Sequence, residues 1–433
     1  PTHVRALMAL AAQRGWRTNQ LDIKTAYLYG ELEEEIYMTP PRGLEHMVTP
    51  GKVMRLKKGC YGLSQSGRVF YKLLIKTLKD FGLEPASEDE CIFVKKRGDS
   101  ILIVATVVDD MLEITNDDEL LREFNAYLEK HFIITDNGPM EWFLGVNFRQ
   151  HPEGGWHASQ TAYVERCLRA YGVDDDPGCK TPMLKGFTVS EQDLCDNPDP
   201  EVVKLGKQML GSLGYLTLWT RPDIAFAVNM LARHVLKATP ALIEKLRKIF
   251  RYLKATKDYG IRIHAHDPLG HGAKLYTFVD ASDADCKFTR RSTGGYVIYF
   301  NGTPIAWRSA RQPLVTLSTA ESEYVQATLA CQEVLCLRRL FEQLGEPQDE
   351  PTLMYEDNKA AIDLSVNPCS RGHTKHMERR WHFVRQCNES GEIMMCKVDG
   401  TINPADTFTK ALAFEPFVMY RRMLSIVPFA DER

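Results

Sequence analysis

Residues 101–114 read ILIVATVVDDMLEI, and the two aspartates inside this run decide how the first part of the chain is read. A run this rich in Val and Ile reads as a buried strand. An ionised carboxylate is costly there unless it is paired, hydrogen-bonded or bound to a cation. Two readings of Asp109 and Asp110 compete. One is a turn between two strands, a place where Asp is at home; the other is a carboxylate pair held for chemistry. Asp22, in NQLDIKTAYLYG (19–30), follows a short apolar approach of its own. If its strand lies beside the first, three carboxylates converge, and such a cluster repels itself unless divalent cations neutralise it. Oxygen-only ligands suit Mg²⁺ or Mn²⁺. Two such ions about 3.5–4 Å apart can stabilise the attacking and leaving oxygens of a phosphoryl transfer.

A second acidic set lies far downstream. Asp280 ends KLYTFVDAS (274–282), Glu323 sits in a helical stretch, Asp357 lies in LMYEDNKAAI (353–362) and Asp406 in NPADTFTKAL (403–412). Each has a plain alternative. Asp357 opens a helix and could cap it, and Asp406 could be an acid in the first turn of a helix. Ser318 and Glu321 spell a capping box at the start of the long helix, which leaves Glu323 as the acid for chemistry. The order strand, helix, strand, helix makes four coincidental acids harder to accept than one.

The composition sets the frame. A chain of 433 residues predicts two or three domains, and 44% hydrophobic with 26% charged residues is ordinary for a globular protein. No apolar run reaches the roughly 18–20 residues of a membrane span. The 11 cysteines are scattered, which suits a reducing compartment. The opening PTHVRALMALAAQRGW reads as the middle of a helix, so a longer chain is expected. A formal net charge of −3 gives no bulk attraction to nucleic acid, yet basic clusters occur in RLKKG (55–59), EKLRKIFRYLK (244–254) and RGHTKHMERR (371–380). In the second of these, Ile243, Leu246, Ile249, Phe250 and Leu253 form a core stripe at helical spacing. The basic residues on its other faces could instead lie along a phosphate backbone. Asn301-Gly302, between GYVIYF and PIAWRS, is a hairpin signal.

These strings, taken in order, resemble the reverse transcriptase and ribonuclease H segment of a copia-type retrotransposon Pol polyprotein. They run from QLDIKTAYLYGELEEEIYM, RLKKGCYGLSQSGRVFY and VVDDM through EWFLGV, SQTAYVERCL and TRPDIAFAVNMLAR. They continue to RRSTGGYVIYFNGTPIAWRSARQ, STAESEY, EDNKAAI, TKHMERRWHFVRQ and NPADTFTKAL. The resemblance implies an α+β architecture: a polymerase palm with partial fingers over 1–185, a helical thumb or connection over 186–270, and a ribonuclease H-like mixed α/β domain over 271–433. It implies that Asp22, Asp109 and Asp110 hold the polymerase metals, that Tyr27 abuts the incoming sugar, and that Gln65 lies beside the nucleotide. Asp280, Glu323, Asp357 and Asp406 would be the metal ligands of the ribonuclease H site.

The implied partners are an RNA template, a DNA primer, an RNA–DNA hybrid and deoxynucleoside triphosphates, with no membrane and a dimer left open. The expected location is the cytoplasm, in a retroelement particle, or the nucleus. Departures from the family pattern are Val107 where an aromatic is usual, LSQSGR (63–68) for L-K-Q-A-P-R, and Arg371 and His373 exchanged within RGHTKH. The fingers segment would lie upstream of Pro1. Other readings stay open: a polymerase remnant keeping only ribonuclease H activity or nucleic-acid binding, and a zinc module of Cys369, His373, His376, His382 and Cys387. Residues from about 271 to 412 are expected to form a separable nuclease.

Overall fold

A computed structural model of the chain describes residues 1–49, 51–268, 270, 272, 274–283, 288–366 and 375–429, with the backbone alone for 375–381. The fold is α+β, as expected. The chain divides into two compact units, Trp16–Met140 and a second made of Pro1–Gly15 with Glu141–Arg433.

In the unit Trp16–Met140 the sequence builds a six-stranded antiparallel sheet. Its order is Glu84–Ala86, Asp89–Arg97, Ser100–Val107, Asp110–Thr115, Arg17–Ile23 and Ile134–Pro139. Helix Ser66–Asp80 offers Phe70, Leu74 and Leu78 at four-residue spacing, and helix Asp118–Leu128 offers Leu120, Phe124 and Leu128. These pack on Leu21, Ile23, Leu102, Val104 and Met111 of the sheet. Each such side chain, fully buried, contributes roughly 1.5–3 kcal/mol. Asp117 caps the second helix, its Oδ1 accepting from the backbone N–H of Glu119 at 2.9 Å and of Leu120 at 3.0 Å.

One buried acid in this sheet has no apolar rationale. Glu113 faces Asn19 across the strands, and Asn19 Nδ2 donates to it at 2.9 Å and to Asp136 at 3.1 Å. Burial, partly offset by the Asn19 hydrogen bond, pushes the Glu113 carboxyl up to about 8. The unfolded carboxyl loses its proton near 4.5 whereas the folded one keeps it to about 8. Between those values the folded state binds more protons, so stability falls as pH rises, by up to about 1.4 kcal/mol per pH unit. Glu113→Gln should flatten that slope, as measured by denaturant melts from pH 4 to 9; an unchanged slope would place the titration elsewhere.

The second unit contains two sheets. In the mixed one, Thr303–Arg311, Thr293–Phe300 and Leu275–Ser282 run antiparallel, and Thr352–Glu356 and Ile393–Lys397 add in parallel. Asn301 and Gly302, at φ 50° and 73°, form the expected tight turn between the first two of these strands. The 25-residue helix Thr319–Gln343 packs over the sheet and starts at the Ser318 cap as read. The Glu321 carboxylate reaches back to the Leu317 N–H rather than that of Ser318. The other sheet joins Ile426–Pro428, Tyr259–His264, Gly155–Ser159, Val146–Gln150 and Trp142–Phe143.

Helices Pro200–Trp219, Ala225–Ala232 and Pro240–Ala255 fill the expected helical stretch, and Ile243, Leu246, Ile249, Phe250 and Leu253 are all buried. Three of the basic residues on the last helix serve the fold itself. Lys245 pairs with Asp193, Arg251 with Asp176 and Glu244, and Lys254 donates to the Asp176 carbonyl. That weakens the reading of this helix as a phosphate-binding stripe.

The units divide the chain at other places than the three expected parts. Helix Thr2–Arg14 belongs with residues some 300 positions on, because Arg5 lies under the Trp307 ring at 3.8 Å and donates to the Ile305 carbonyl at 2.8 Å. The nuclease expected at 271–412 would also lack helix Phe414–Met423 and strand Ile426–Pro428. Tyr299 donates to the Met423 carbonyl, and Phe417 is buried. A fragment ending at 412 is therefore expected to expose this face. Among the described residues, no helix is long and apolar enough to cross a membrane.

Candidate functional site

Strands Ser100–Val107 and Asp110–Thr115 pair so that Val107 faces Asp110, which makes Val108 and Asp109 a two-residue turn. The turn reading therefore holds, and it is compatible with the other, since the turn places Asp109 beside Asp110. Val108 takes φ 59°. For a β-branched residue that conformation costs roughly 1–3 kcal/mol, and strain of this kind gathers at functional sites. Strand Arg17–Ile23 lies on the other side of the hairpin with Asp22 directly opposite Asp110. Residues so opposed share a sheet face. The Asp109 carbonyl accepts from Ile23 N at 2.9 Å, which ties the turn to the strand carrying Asp22. Burial, then the charges of Asp109 and Asp22, push the Asp110 carboxyl above the usual range. A cation between these acids would relieve that repulsion.

Tyr27 lies four residues beyond strand Arg17–Ile23, half-buried, with its ring edge-on to Tyr61 at 4.9 Å. Gln65 precedes helix Ser66–Asp80 and is half-buried beside Glu34, 3.5 Å away. Both belong to the same compact unit as the three aspartates.

The downstream acids assemble around the end of strand Leu275–Ser282. Asp280, Glu323 and Asp357 each offer a carboxylate oxygen, and these atoms lie within 4.8 Å of one another. Asp280 comes from the central strand, Glu323 from the second turn of the long helix, and Asp357 from the end of Thr352–Glu356. The cap of helix Lys359–Val366 is Asn358, whose Oδ1 accepts from Ala360 N at 2.9 Å and Ala361 N at 3.3 Å. Asp357 is thereby relieved of the capping task.

Asp406 is buried in the short 3₁₀ helix Pro404–Phe408 rather than solvated. That helix rests on Gly295, where a Cβ would strike Phe408. Burial and then Asp280 push Asp406 up to about 7. Burial raises Asp357 as well, and Asp280 adds to it. The three-carboxylate set, all oxygen and mutually repelling, fits a hard divalent cation.

Two charged residues escaped the sequence reading. Glu356 is fully buried one place before Asp357, and the inward alternation of Thr352, Met354 and Glu356 was the signal that could have found it. Glu323 Oε2 and Glu356 Oε2 are buried without a hydrogen-bond donor among the described residues, and burial, followed by neighbouring carboxylates (Glu356 and Asp280 for Glu323, Asp357 and Asp280 for Glu356), holds both carboxyls well above their usual range. Lys410 is the other, with Nζ 2.8 Å from Asp406 Oδ1 and 3.3 Å from Asp280 Oδ1. Of the suggested zinc ligands, Cys369 and His373, like the whole RGHT tetrapeptide, lie outside the described residues, as does the His376 side chain. His382 is exposed and Cys387 buried.

Residues 2–185 match the family model described as reverse transcriptase (RNA-dependent DNA polymerase). The retrovirus-related Pol polyprotein from transposon TNT 1-94 of Nicotiana tabacum is 33% identical over 432 residues, covering 98% of this chain and 32% of that polyprotein. Its counterpart from transposon RE2 of Arabidopsis thaliana is 32% identical, covering 98% of this chain and 29% of the relative. Over nearly its whole length the chain is similar to copia-type Pol polyproteins. It spans about a third of the length of these curated relatives. Among solved structures it is similar to the foamy viral protease-reverse transcriptase in complex with dsDNA, at 14% identity and a TM-score of 0.48, covering 89% of this chain and 68% of that one. The family match ends at residue 185, so the first acidic cluster lies inside the matched residues and the second beyond them.

Proposed function

We propose that this copia-type Pol segment carries two phosphoryl-transfer sites: an RNA-directed DNA polymerase at Asp22, Asp109 and Asp110, and a ribonuclease H site at Asp280, Glu323, Asp357 and Asp406. The observation that carries the polymerase reading is the register that sets Asp22 opposite Asp110 with Asp109 in the adjoining turn. A DNA primer's 3′-hydroxyl is the nucleophile, an incoming deoxynucleoside triphosphate is the electrophile, and pyrophosphate leaves. The three aspartates would hold Mg²⁺ or Mn²⁺, which neutralises charge that develops on the transferred group. Tyr27 limits the room at the sugar, and Gln65 lines the nucleotide's side of the site.

At the second cluster the same class of ion would be held by Asp280, Glu323 and Asp357 while the RNA strand of an RNA–DNA hybrid is cut. The partners are an RNA template, a DNA primer and that hybrid, with action in a cytoplasmic retroelement particle or the nucleus. One assay on one defined RNA–DNA primer-template tests both halves: extension with deoxynucleotides, and RNA cleavage, each with Mg²⁺ or Mn²⁺. Extension and cleavage both requiring the divalent ion are expected. Binding with steep salt dependence and no turnover under either ion would leave a nucleic-acid-binding relic instead.

A further inference from the structure

Lys410 follows Asp406 by four residues, and the turn of chain after Pro404–Phe408 brings its ammonium into the acidic cluster. It bridges one oxygen of Asp406 and one of Asp280, while Thr409 Oγ1 donates to the other oxygen of Asp280. Asp406 stands apart from the three-carboxylate set of Asp280, Glu323 and Asp357. The cluster thus has two halves that share Asp280. One is a cage of three oxygens; the other is an Asp280–Asp406 edge that already carries a positive charge.

An ammonium and a divalent ion cannot both use that edge, because like charges a few ångströms apart repel strongly where water is scarce. The Lys410 side chain is 42% exposed, against 2% for Asp280 and 13% for Asp406. It enters from the solvent side on a flexible four-carbon stem and is free to leave the same way.

We propose that Lys410 is a tethered cation that guards the Asp280–Asp406 edge and sets how tightly a second divalent ion is held there. The inference rests on reading this cluster as the divalent-ion site of a ribonuclease H. With one ion in the three-oxygen cage, Lys410 keeps Asp280 and Asp406 compensated. It withdraws when a second ion is taken up, and a phosphodiester brought to the site offers the displaced ammonium a new anionic partner. Substrate and second ion would then load together, and the free protein would hold one ion without the second.

The test is Mn²⁺ binding by titration calorimetry and electron paramagnetic resonance, on the whole chain without nucleic acid. All proteins carry Asp109→Asn, so that ions at the other cluster do not enter the count. Lys410→Met should bind a second Mn²⁺ at least about tenfold more tightly than the parent. Lys410→Gln, also neutral but still a hydrogen-bond donor, should do the same, and Lys410→Arg should keep the parent's weak second site. Thermal melts establish that each variant is folded. Equal second-ion affinity in the parent and in both neutral variants would overturn the role of Lys410 while leaving the nuclease reading intact. No Mn²⁺ uptake by any of them would overturn both.

Discussion

Asp109→Asn should lower primer extension by about three orders of magnitude while leaving the protein folded. The scale is that of losing a preorganised charge that stabilises phosphoryl transfer. The fold should survive because the structural task of this residue belongs to its backbone, whose carbonyl accepts from Ile23 N. Asparagine keeps that carbonyl and is equally at home in a turn. Asp110→Asn is a useful partner variant. It removes a carboxyl that burial and its two neighbours already hold above its usual range, so it should relieve repulsion in the free protein even as extension falls. The measurement is single-turnover extension beside a thermal melt. Extension at the parent rate by a folded Asp109→Asn protein would remove Asp109 from the chemistry, and an unfolded variant would make it a structural residue.

Asp357→Asn should likewise reduce RNA cleavage by about 10³-fold or more, whereas His382→Ala should cost less than about tenfold. The first figure is the loss expected when one charge of a metal-holding set disappears. The second follows from position: His382 is exposed on helix Lys375–Glu389. A residue doing general acid–base work would be worth about 10²–10⁴-fold. The cap of helix Lys359–Val366 sits on Asn358, so Asp357→Asn should not loosen that helix. Both variants belong in the whole chain, because Tyr299 of the mixed sheet is tied to the end of helix Phe414–Met423. Equal damage from the two substitutions would make the histidine catalytic. Cleavage of double-stranded DNA at a comparable rate would deny hybrid specificity.

How much of this was legible depended on how local the cause was. The strand 101–107, the Asn301-Gly302 turn, the Ser318 cap and the buried stripe from Ile243 to Leu253 are each set by neighbours within a few residues, and all were readable. The structural task of Glu321 was readable for the same reason, because its carboxylate is drawn back to the helix start. Glu356 was missed because a buried acid beside a candidate ligand has no signature apart from the alternation of a five-residue strand. Lys410 was missed because its importance lies in a contact with Asp280, 130 residues away. The placement of helix Thr2–Arg14 was invisible for the same reason. Its sequence specifies an apolar helix, and distant residues such as Ile305, Trp307 and Leu218 specify where that helix goes.

That placement has a consequence for the order in which the protein is made. The unit Trp16–Met140 is one continuous stretch and can finish folding soon after it leaves the ribosome. Helix Thr2–Arg14 emerges before that stretch, but its site includes Ile305, 300 residues later. At about 5–20 residues per second, synthesis of that interval takes roughly 15–60 s. Until that interval has passed, Leu7, Met8 and Leu10, which are buried in the finished fold, lack their complete native surroundings. This helix is thus made before the unit Trp16–Met140 but fully shielded long after it. Holding chaperones and the pace of translation should therefore govern the yield of folded protein more than the stability of the completed molecule does.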